Sequence, residues 1–181
     1  MLSEKETKRL SKFLSLLLRH QPEAIGLVLD EQGWVNTDDL INKIAKQNPG
    51  FNLVALQHIV QTNAKQRFRF SDDGSKIRAS QGHSIEVELN YEEKQPPALL
   101  YHGTAEKNIS SILAEGLHKR QRHHVHLSAD TETSVKVGQR HGKPIVLIID
   151  AAAMFAAQHV FYQSDNGVWL TESVPSQFIS T

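Results

Sequence analysis

Residues Arg67–Ser80 have the sequence RFRFSDDGSKIRAS, and this stretch decides the fold of the N-terminal half. Apolar and polar residues alternate on both sides of Asp73-Gly74, a pair that is typical of the tight turn of a β-hairpin. The stretch therefore predicts two antiparallel strands that meet at Asp73-Gly74.

Three helices are predicted before this hairpin. Ser3 followed by Glu6 makes a capping box, and leucines then recur at helical spacing. The predicted helices run from about Glu4 to His20, from Thr37 as the N-cap to "NPG" at residues 48–50, and over Leu53–Asn63. Three helices and a hairpin suggest a winged helix, an arrangement that commonly presents a helix and the hairpin to nucleic acid, although a fold alone does not establish function.

The composition changes at "NYEEKQPPALL", residues 90–100, where charged residues and Pro96-Pro97 predict a boundary between two lobes near residues 91–97. We place the lobes at residues 1–92 and 93–181. The second lobe contains, in order, a strand "ALLYHGT", a helix capped by Thr104, a strand "HVHLS", a helix "TETSVKVGQRHG", a strand "PIVLIID", a helix "AAAMFAAQ" and a closing hairpin around Asn166-Gly167. The chain is therefore expected to be α+β.

Charge and composition limit the possible functions. The chain has 20 Lys and Arg against 20 Asp and Glu, so a nucleic-acid partner would need a local basic patch. It has no cysteine, which removes disulfides, thiolate catalysis and cysteine zinc sites. The first residues, "MLSEKETKRL", are charged where a signal peptide would be apolar, and no apolar run is long enough to span a membrane. We expect a soluble, cytoplasmic protein.

The side chains that can carry chemistry are mainly arginine and histidine. No G-x-G-x-x-G follows a strand and there is no Walker loop, which disfavours Rossmann and P-loop nucleotide binding. The candidates are Arg19-His20, the hairpin arginines Arg67, Arg69 and Arg78, "QGHS" at Gln81–Ser84, "YHGT" at Tyr101–Thr104, and "KRQRHHVHLS" at Lys119–Ser128. Arginine forks match phosphate geometry, and several of them with one histidine suit a phosphate dianion.

Each of these motifs can also have a purely structural role, and the residues alone do not decide between the two. Arg19-His20 can complement the C-terminal dipole of a helix, and the hairpin arginines can form a solvated face. "YHGT" can be a plain turn in which Thr104 caps the next helix. His124 and His126 fall on one face of a strand and could bind zinc, but no H-E-x-x-H motif accompanies them, so we expect no metal.

In combination, these motifs resemble the RNA 2′-phosphotransferase family (KptA type). The resemblance rests on "LSLLLRHQPEAIGL", "GWV", "KQRFRFSDDGSKIRASQGHS", "YHGT", "HHVHLS", "VGQRHGKPIVLIID" and "NGVWLTESVP", which occur in matching order from about Leu10 to Pro175. It implies an N-terminal winged-helix lobe that binds RNA and a C-terminal mixed α/β lobe of ADP-ribosyltransferase fold that binds NAD.

The resemblance also implies the residues of the site. The phosphate-handling set is Arg19, His20, Arg67 and Arg122, with Arg120 as the alternative if the register of the basic segment shifts. The NAD-binding set is His102, Gly103, Thr104, His126 and Ser128. Many ADP-ribosyltransferases have a catalytic Glu on the closing hairpin, and here the corresponding position is apolar, at Val168.

The implied reaction removes an internal RNA 2′-phosphate and consumes NAD. The 2′-phosphate is ADP-ribosylated, and a transesterification then gives RNA 2′-OH, ADP-ribose 1″,2″-cyclic phosphate and nicotinamide. The expected partners are NAD and RNA that bears a 2′-phosphate, with tRNA as one candidate, and the protein is expected to be a monomer that needs no metal. Two alternatives remain: an ADP-ribosyltransferase that caps terminal phosphates of RNA or DNA, and a non-enzymatic winged-helix regulator.

Overall fold

The computed structural model describes residues 2–181, and the chain divides into two compact units, 1–90 and 91–181. Residues 2–181 form a mixed α/β structure with six α-helices and small antiparallel sheets. No helix in this range is both long and apolar enough to cross a membrane.

Unit 1 is built from three helices and one three-stranded sheet. Its elements are α1 (Glu4–Arg19), β1 (Val35–Asn36), α2 (Thr37–Ala45), α3 (Leu53–Gln61), β2 (Phe68–Phe70) and β3 (Lys76–Ala79). The antiparallel sheet has the order β1-β3-β2. The predicted hairpin is confirmed, with Phe68 opposite Ala79 and with Gly74 in the left-handed conformation at φ 73°.

The predicted start of α1 is confirmed and that of α2 is wrong by one residue. Ser3 and Glu6 form the capping box. At α2 the N-cap is Asn36, whose Oδ1 accepts a hydrogen bond from the Asp39 N–H at 3.0 Å. Thr37 cannot cap because its side chain is buried and its Oγ1 donates to the Gly74 carbonyl at 3.0 Å.

The buried face of α1 anchors the end of the helix. Leu10, Leu14, Leu17 and Leu18 are at most 3% exposed and pack with residues of α2, α3 and β3 in the core of unit 1. Burying one leucine side chain stabilises a fold by about 1.5–3 kcal/mol. Because Leu17 and Leu18 immediately precede Arg19, the core fixes the backbone of the Arg19-His20 pair.

Unit 2 contains three short sheets and three helices. Its elements are β4 (Leu99–Ala105), α4 (Ile109–Glu115), β5 (Leu117–His118), β6 (Val125–Leu127), α5 (Thr131–Gly138), β7 (Pro144–Asp150), α6 (Ala151–Ala156), β8 (Tyr162–Gln163), β9 (Trp169–Thr171), β10 (Ser173–Val174) and β11 (Ile179–Ser180). The sheet orders are β11-β7-β4, β6-β9-β8 and β10-β5. One bridge, Tyr101 with Ser128, joins β4 to the end of β6.

The prediction that Thr104 caps the helix after "YHGT" is wrong. Thr104 lies inside β4, is 5% exposed, and faces Ile145 of β7 across the sheet. A 3-10 turn at Glu106–Asn108 then precedes α4. The interpretation of "YHGT" as a plain turn is wrong for the same reason, because pairing with β7 keeps the whole motif extended.

Gly103 is required by the packing of α5 against β4. A Cβ atom at this position would lie 1.7 Å from the Ser134 carbonyl oxygen and 3.0 Å from the Gly138 nitrogen. A real Cβ never approaches backbone this closely, so only glycine permits the contact. The sheet that carries "YHGT" is therefore held tightly against α5.

Candidate active site

In unit 1, one segment gathers three of the predicted phosphate ligands. The Ser80 N–H donates to the Arg67 carbonyl and the Ser84 N–H donates to the Arg19 carbonyl, each at 2.9 Å. His20 Nδ1 lies 2.8 Å from Ser84 Oγ. The start of the hairpin and the end of α1 are thus tied to the two ends of Ser80–Ser84, and Arg19, His20 and Arg67 all border this one segment.

Partial burial strengthens the attraction of Arg67 for anions. Its side chain is half-buried, and this desolvation lowers the pKa of its guanidinium below the ordinary value for arginine. A guanidinium remains protonated at any physiological pH. A fixed cation that is partly withdrawn from water attracts an anion more strongly than a solvated one.

The other two hairpin arginines have a different role. Arg69 and Arg78 face each other across β2 and β3, and their Cζ atoms lie 5.4 Å and 4.5 Å from the ring centroid of Trp34. Arg78 is 8% exposed and its Nη1 donates to the Gln32 carbonyl at 3.4 Å. The interpretation as a solvated face is wrong for Arg78. The negative face of the indole compensates two like charges placed opposite each other.

In unit 2, His102 is held as a neutral imidazole. Its Nδ1 lies 3.0 Å from the His126 carbonyl oxygen, and because a carbonyl only accepts, Nδ1 must carry the proton. Burial is the main cause that lowers the pKa of His102 below 6.5, and the nearby Arg122 lowers it further. Nε2 of His102 is therefore an acceptor near pH 7.

Arg122 lies against the same histidine pair. Its Nη1 is 2.9 Å from His126 Nδ1, and because guanidinium only donates, His126 Nδ1 accepts. Arg120, the alternative in the register, is an exposed residue in the left-handed conformation at φ 53°. The structure thus places Arg122 beside His102 and His126.

The backbone of Gly103 lies where β4 and β6 stop pairing. Tyr101 and Ser128 exchange two backbone hydrogen bonds, of 2.9 and 2.8 Å. Because strand residues alternate, the N–H and C=O of Gly103 point to the same side as those of Tyr101. The register would place His126 opposite Gly103, but the His126 carbonyl contacts the imidazole of His102. Gly103 therefore presents its peptide groups between the two strands.

His124 does not share the surroundings of His126. Its ring lies 6.4 Å from that of Tyr91 and 5.4 Å from that of Tyr162, both edge to face. Burial lowers the pKa of His124, and Glu172 opposes this shift. Within residues 2–181, no group of three or more His, Cys, Asp or Glu side chains is placed to hold a metal ion.

Sequence reasoning missed the part that Ser84 plays. "QGHS" is a candidate from composition, but no spacing rule relates position 84 to position 20. The hydrogen bond between Ser84 and His20 spans 64 residues and depends on the path of the chain after β3. Arg122 and His126, by contrast, are only four residues apart, so local sequence spacing can predict their interaction.

Each unit contains a cluster of arginine and histidine, residue types that suit the binding of phosphate groups. A profile of the RNA 2′-phosphotransferase, Tpt1 / KptA family matches residues 5–173. The chain belongs to this family, and the resemblance identified from the motifs is confirmed.

Relatives described as "Probable RNA 2′-phosphotransferase" align over nearly the whole chain. The protein of Pseudomonas syringae pv. tomato is 48% identical over 180 residues, covering 99% of this chain and 96% of the relative. That of Pectobacterium atrosepticum is 54% identical, covering 98% and 99%. That of Fusobacterium nucleatum is 54% identical, covering 94% and 96%.

Proposed function

We propose that this chain is an NAD-dependent RNA 2′-phosphotransferase, an enzyme that removes an internal RNA 2′-phosphate. Membership of the family and the descriptions of its relatives support transfer of this phosphate. The observation that carries the proposal is the gathering of Arg19, His20 and Arg67 by the segment Ser80–Ser84. Three cationic or ionisable groups held by one segment suit a phosphate dianion.

The division of the chain into two units, 1–90 and 91–181, supports a two-lobed enzyme of this kind. Three helices followed by the antiparallel sheet β1-β3-β2 support a winged helix in unit 1. Short antiparallel sheets packed with α5, and "YHGT" on a central strand, support an ADP-ribosyltransferase-like lobe in unit 2. RNA, with tRNA as one candidate, is the proposed substrate of the whole chain.

The residues of unit 2 fit NAD, which is consumed as a co-substrate. NAD supplies a ribose carbon that becomes electrophilic as nicotinamide departs. The peptide groups of Gly103 offer one donor and one acceptor, as an amide ligand requires. Neutral His102 offers Nε2 as an acceptor for a sugar hydroxyl. His126 lies in β6, and Ser128 pairs with Tyr101 of β4. Buried Thr104 accepts from Asn108 at 3.3 Å and holds the strand beside Gly103.

The first step needs no general base. The RNA 2′-phosphate is already anionic and attacks the ribose carbon that bears nicotinamide. This agrees with an apolar residue, Val168, where many related enzymes have a catalytic Glu. Val168 lies in the turn between β8 and β9, and its carbonyl accepts from the Ser164 N–H at 2.9 Å.

The second step needs charge stabilisation and a proton. The vicinal ribose hydroxyl attacks the phosphate and loses its proton to solvent, and the bond to the RNA 2′-oxygen breaks. RNA 2′-OH and ADP-ribose 1″,2″-cyclic phosphate result. Arg19, Arg67 and Arg122 stabilise the charge on the phosphate oxygens. His20, oriented by Ser84, delivers the proton to the departing oxygen.

The division of roles is tested by the RNA species that accumulates. His20→Ala and Arg122→Gln should slow the second step about 100- to 1000-fold, so that 2′-phospho-ADP-ribosylated RNA builds up in rapid-quench gels. Arg120→Gln is the matched control, since it removes a neighbouring exposed arginine, and it should show no such band. If the two variants leave only unreacted RNA, or if Arg120→Gln alone gives the band, the assigned roles are wrong.

A further inference from the structure

One face of α1 carries a row of exposed cations that leads, past Leu16, to the partly buried Arg19. At about 100° per residue, the side chains of this face fall within an arc of about 100°. We call it the α1 basic face, and its members are Lys5, Lys8, Arg9, Lys12, Leu16 and Arg19. The four lysine and arginine residues before Leu16 are all exposed, and they lie opposite the buried leucines of the helix.

The helix itself gains little from these cations. A positive charge in the first turn opposes the helix dipole, and Lys5 is in that turn. The carboxylates of the first turn are Glu4 and Glu6, and Glu6 is engaged by the Ser3 cap at 2.9 and 2.6 Å. In the described part of the chain, residues 2–181, no carboxylate lies within ion-pair distance of Lys5, Lys8 or Lys12.

The charge of this face is a local excess. The chain as a whole carries equal numbers of acidic and basic residues, so no general positive field exists to attract nucleic acid. Four exposed cations on about two turns of one helix provide the local patch that an RNA partner requires. Leu16, 37% exposed, lies between Lys12 and Arg19 and adds an apolar contact for a ribose or a base.

We propose that the α1 basic face binds the phosphate backbone of the RNA strand that carries the 2′-phosphate, on one side of the reacting nucleotide. The inference rests on the proposed function, because Arg19 at its end is assigned to that nucleotide. Lys5 lies about 21 Å along the helix from Arg19, since each residue adds about 1.5 Å. At about 3.4 Å per stacked nucleotide, the face covers about six nucleotides.

The test is the dependence of binding and turnover on RNA length. The variant Lys5→Gln/Lys8→Gln/Lys12→Gln removes three charges and keeps helix-forming residues. The control, Lys46→Gln/Lys107→Gln/Lys143→Gln, removes three exposed lysines elsewhere. The probes are a dinucleotide and a single-stranded 12-mer, each with one 2′-phosphate, placed near the 5′ or the 3′ end of the 12-mer. Circular dichroism checks that α1 is retained.

We expect the α1 variant, and not the control, to bind the 12-mer about tenfold more weakly. Its slope of log affinity against log salt should fall by about 2, since each single-strand contact contributes about 0.7. The loss should be smaller for the dinucleotide and should depend on which side of the 2′-phosphate the RNA extends.

Equal losses for both RNA lengths, an unchanged salt slope, or equal effects of the α1 and control variants would overturn the proposal. Weaker binding of the variant to acidic peptides without any effect on RNA would assign the face to a protein partner and overturn it as well. Equilibrium binding does not depend on turnover, so failure of the proposed reaction is recognised separately, by wild-type protein that binds the 12-mer but never transforms it.

Discussion

Replacement of Gly103 by alanine tests whether this glycine is required for packing. The new Cβ would lie 1.7 Å from the Ser134 carbonyl oxygen, and an ordinary contact begins at 3.4 Å. The backbones of β4 and α5 must therefore separate by about 1.7 Å, and neither is a flexible side chain that can move aside. Such overpacking costs about 3 kcal/mol, the upper end of the usual range.

The expected result is a fall in the thermal midpoint of about 6–12 °C, because 1 kcal/mol corresponds to about 2–4 °C in a chain of this size. Gly26→Ala is the control. Gly26 has φ 68° and nothing within 4 Å of its Cβ position, so the substitution costs only the left-handed backbone, about 1 kcal/mol and about 2–4 °C. The assay is thermal denaturation followed by circular dichroism.

The packing argument is refuted if Gly103→Ala melts within about 2 °C of the wild type. If such a stable variant has also lost NAD binding, measured by calorimetry, then glycine is needed at this position for the ligand and not for α5. If both stability and NAD binding fall, the strand and helix are confirmed as a single packed support for the site.

Two further predictions concern the histidines of the site. Burial lowers the pKa of His102 in the folded chain below the value of about 6.5 that the unfolded chain has. As the pH falls below about 6.5, the unfolded chain binds a proton at His102 before the folded chain does. The free energy of unfolding therefore decreases as the pH falls below that value. Imidazole NMR titration should place the midpoint of His102 below 6.5, and a midpoint at or above 6.5 would contradict the neutral assignment. Ser84→Ala should lower kcat about three- to tenfold and alter the pH profile while KM for RNA changes little, because one hydrogen bond that orients His20 is lost; Ser84→Thr should restore activity. An unchanged kcat and pH profile in Ser84→Ala would show that Ser84 does not position His20.

Local sequence signals predict the elements whose determinants are close in the chain. The Ser3 capping box, the leucine spacing of α1 and the Asp73-Gly74 turn involve residues two to five positions apart, and all three are found in the structure. The two failed caps have long-range causes. Thr37 is drawn to the Gly74 carbonyl, 37 residues away, and Thr104 is held in a strand by β7. Hydroxyl residues beside a helix therefore predict a cap only when no tertiary partner competes.

The candidate site divides in the same way. Arg19 and His20 are adjacent in the sequence. The choice of Arg67 over Arg69 and Arg78 as a phosphate ligand follows from the motif that the family resemblance supplies. The stacking of Arg69 and Arg78 on Trp34 depends on β1 lying beside β3, which no local pattern specifies. The orientation of His20 likewise depends on where the chain passes after the hairpin.

The central claim is tested most directly by the products formed from NAD and a short RNA with one internal 2′-phosphate. Mass analysis should show RNA reduced by one phosphate, with ADP-ribose 1″,2″-cyclic phosphate and nicotinamide formed in equal amounts, and no reaction when NAD is omitted. A stable ADP-ribosylated RNA as the end product, or phosphate loss that does not require NAD, would contradict the account.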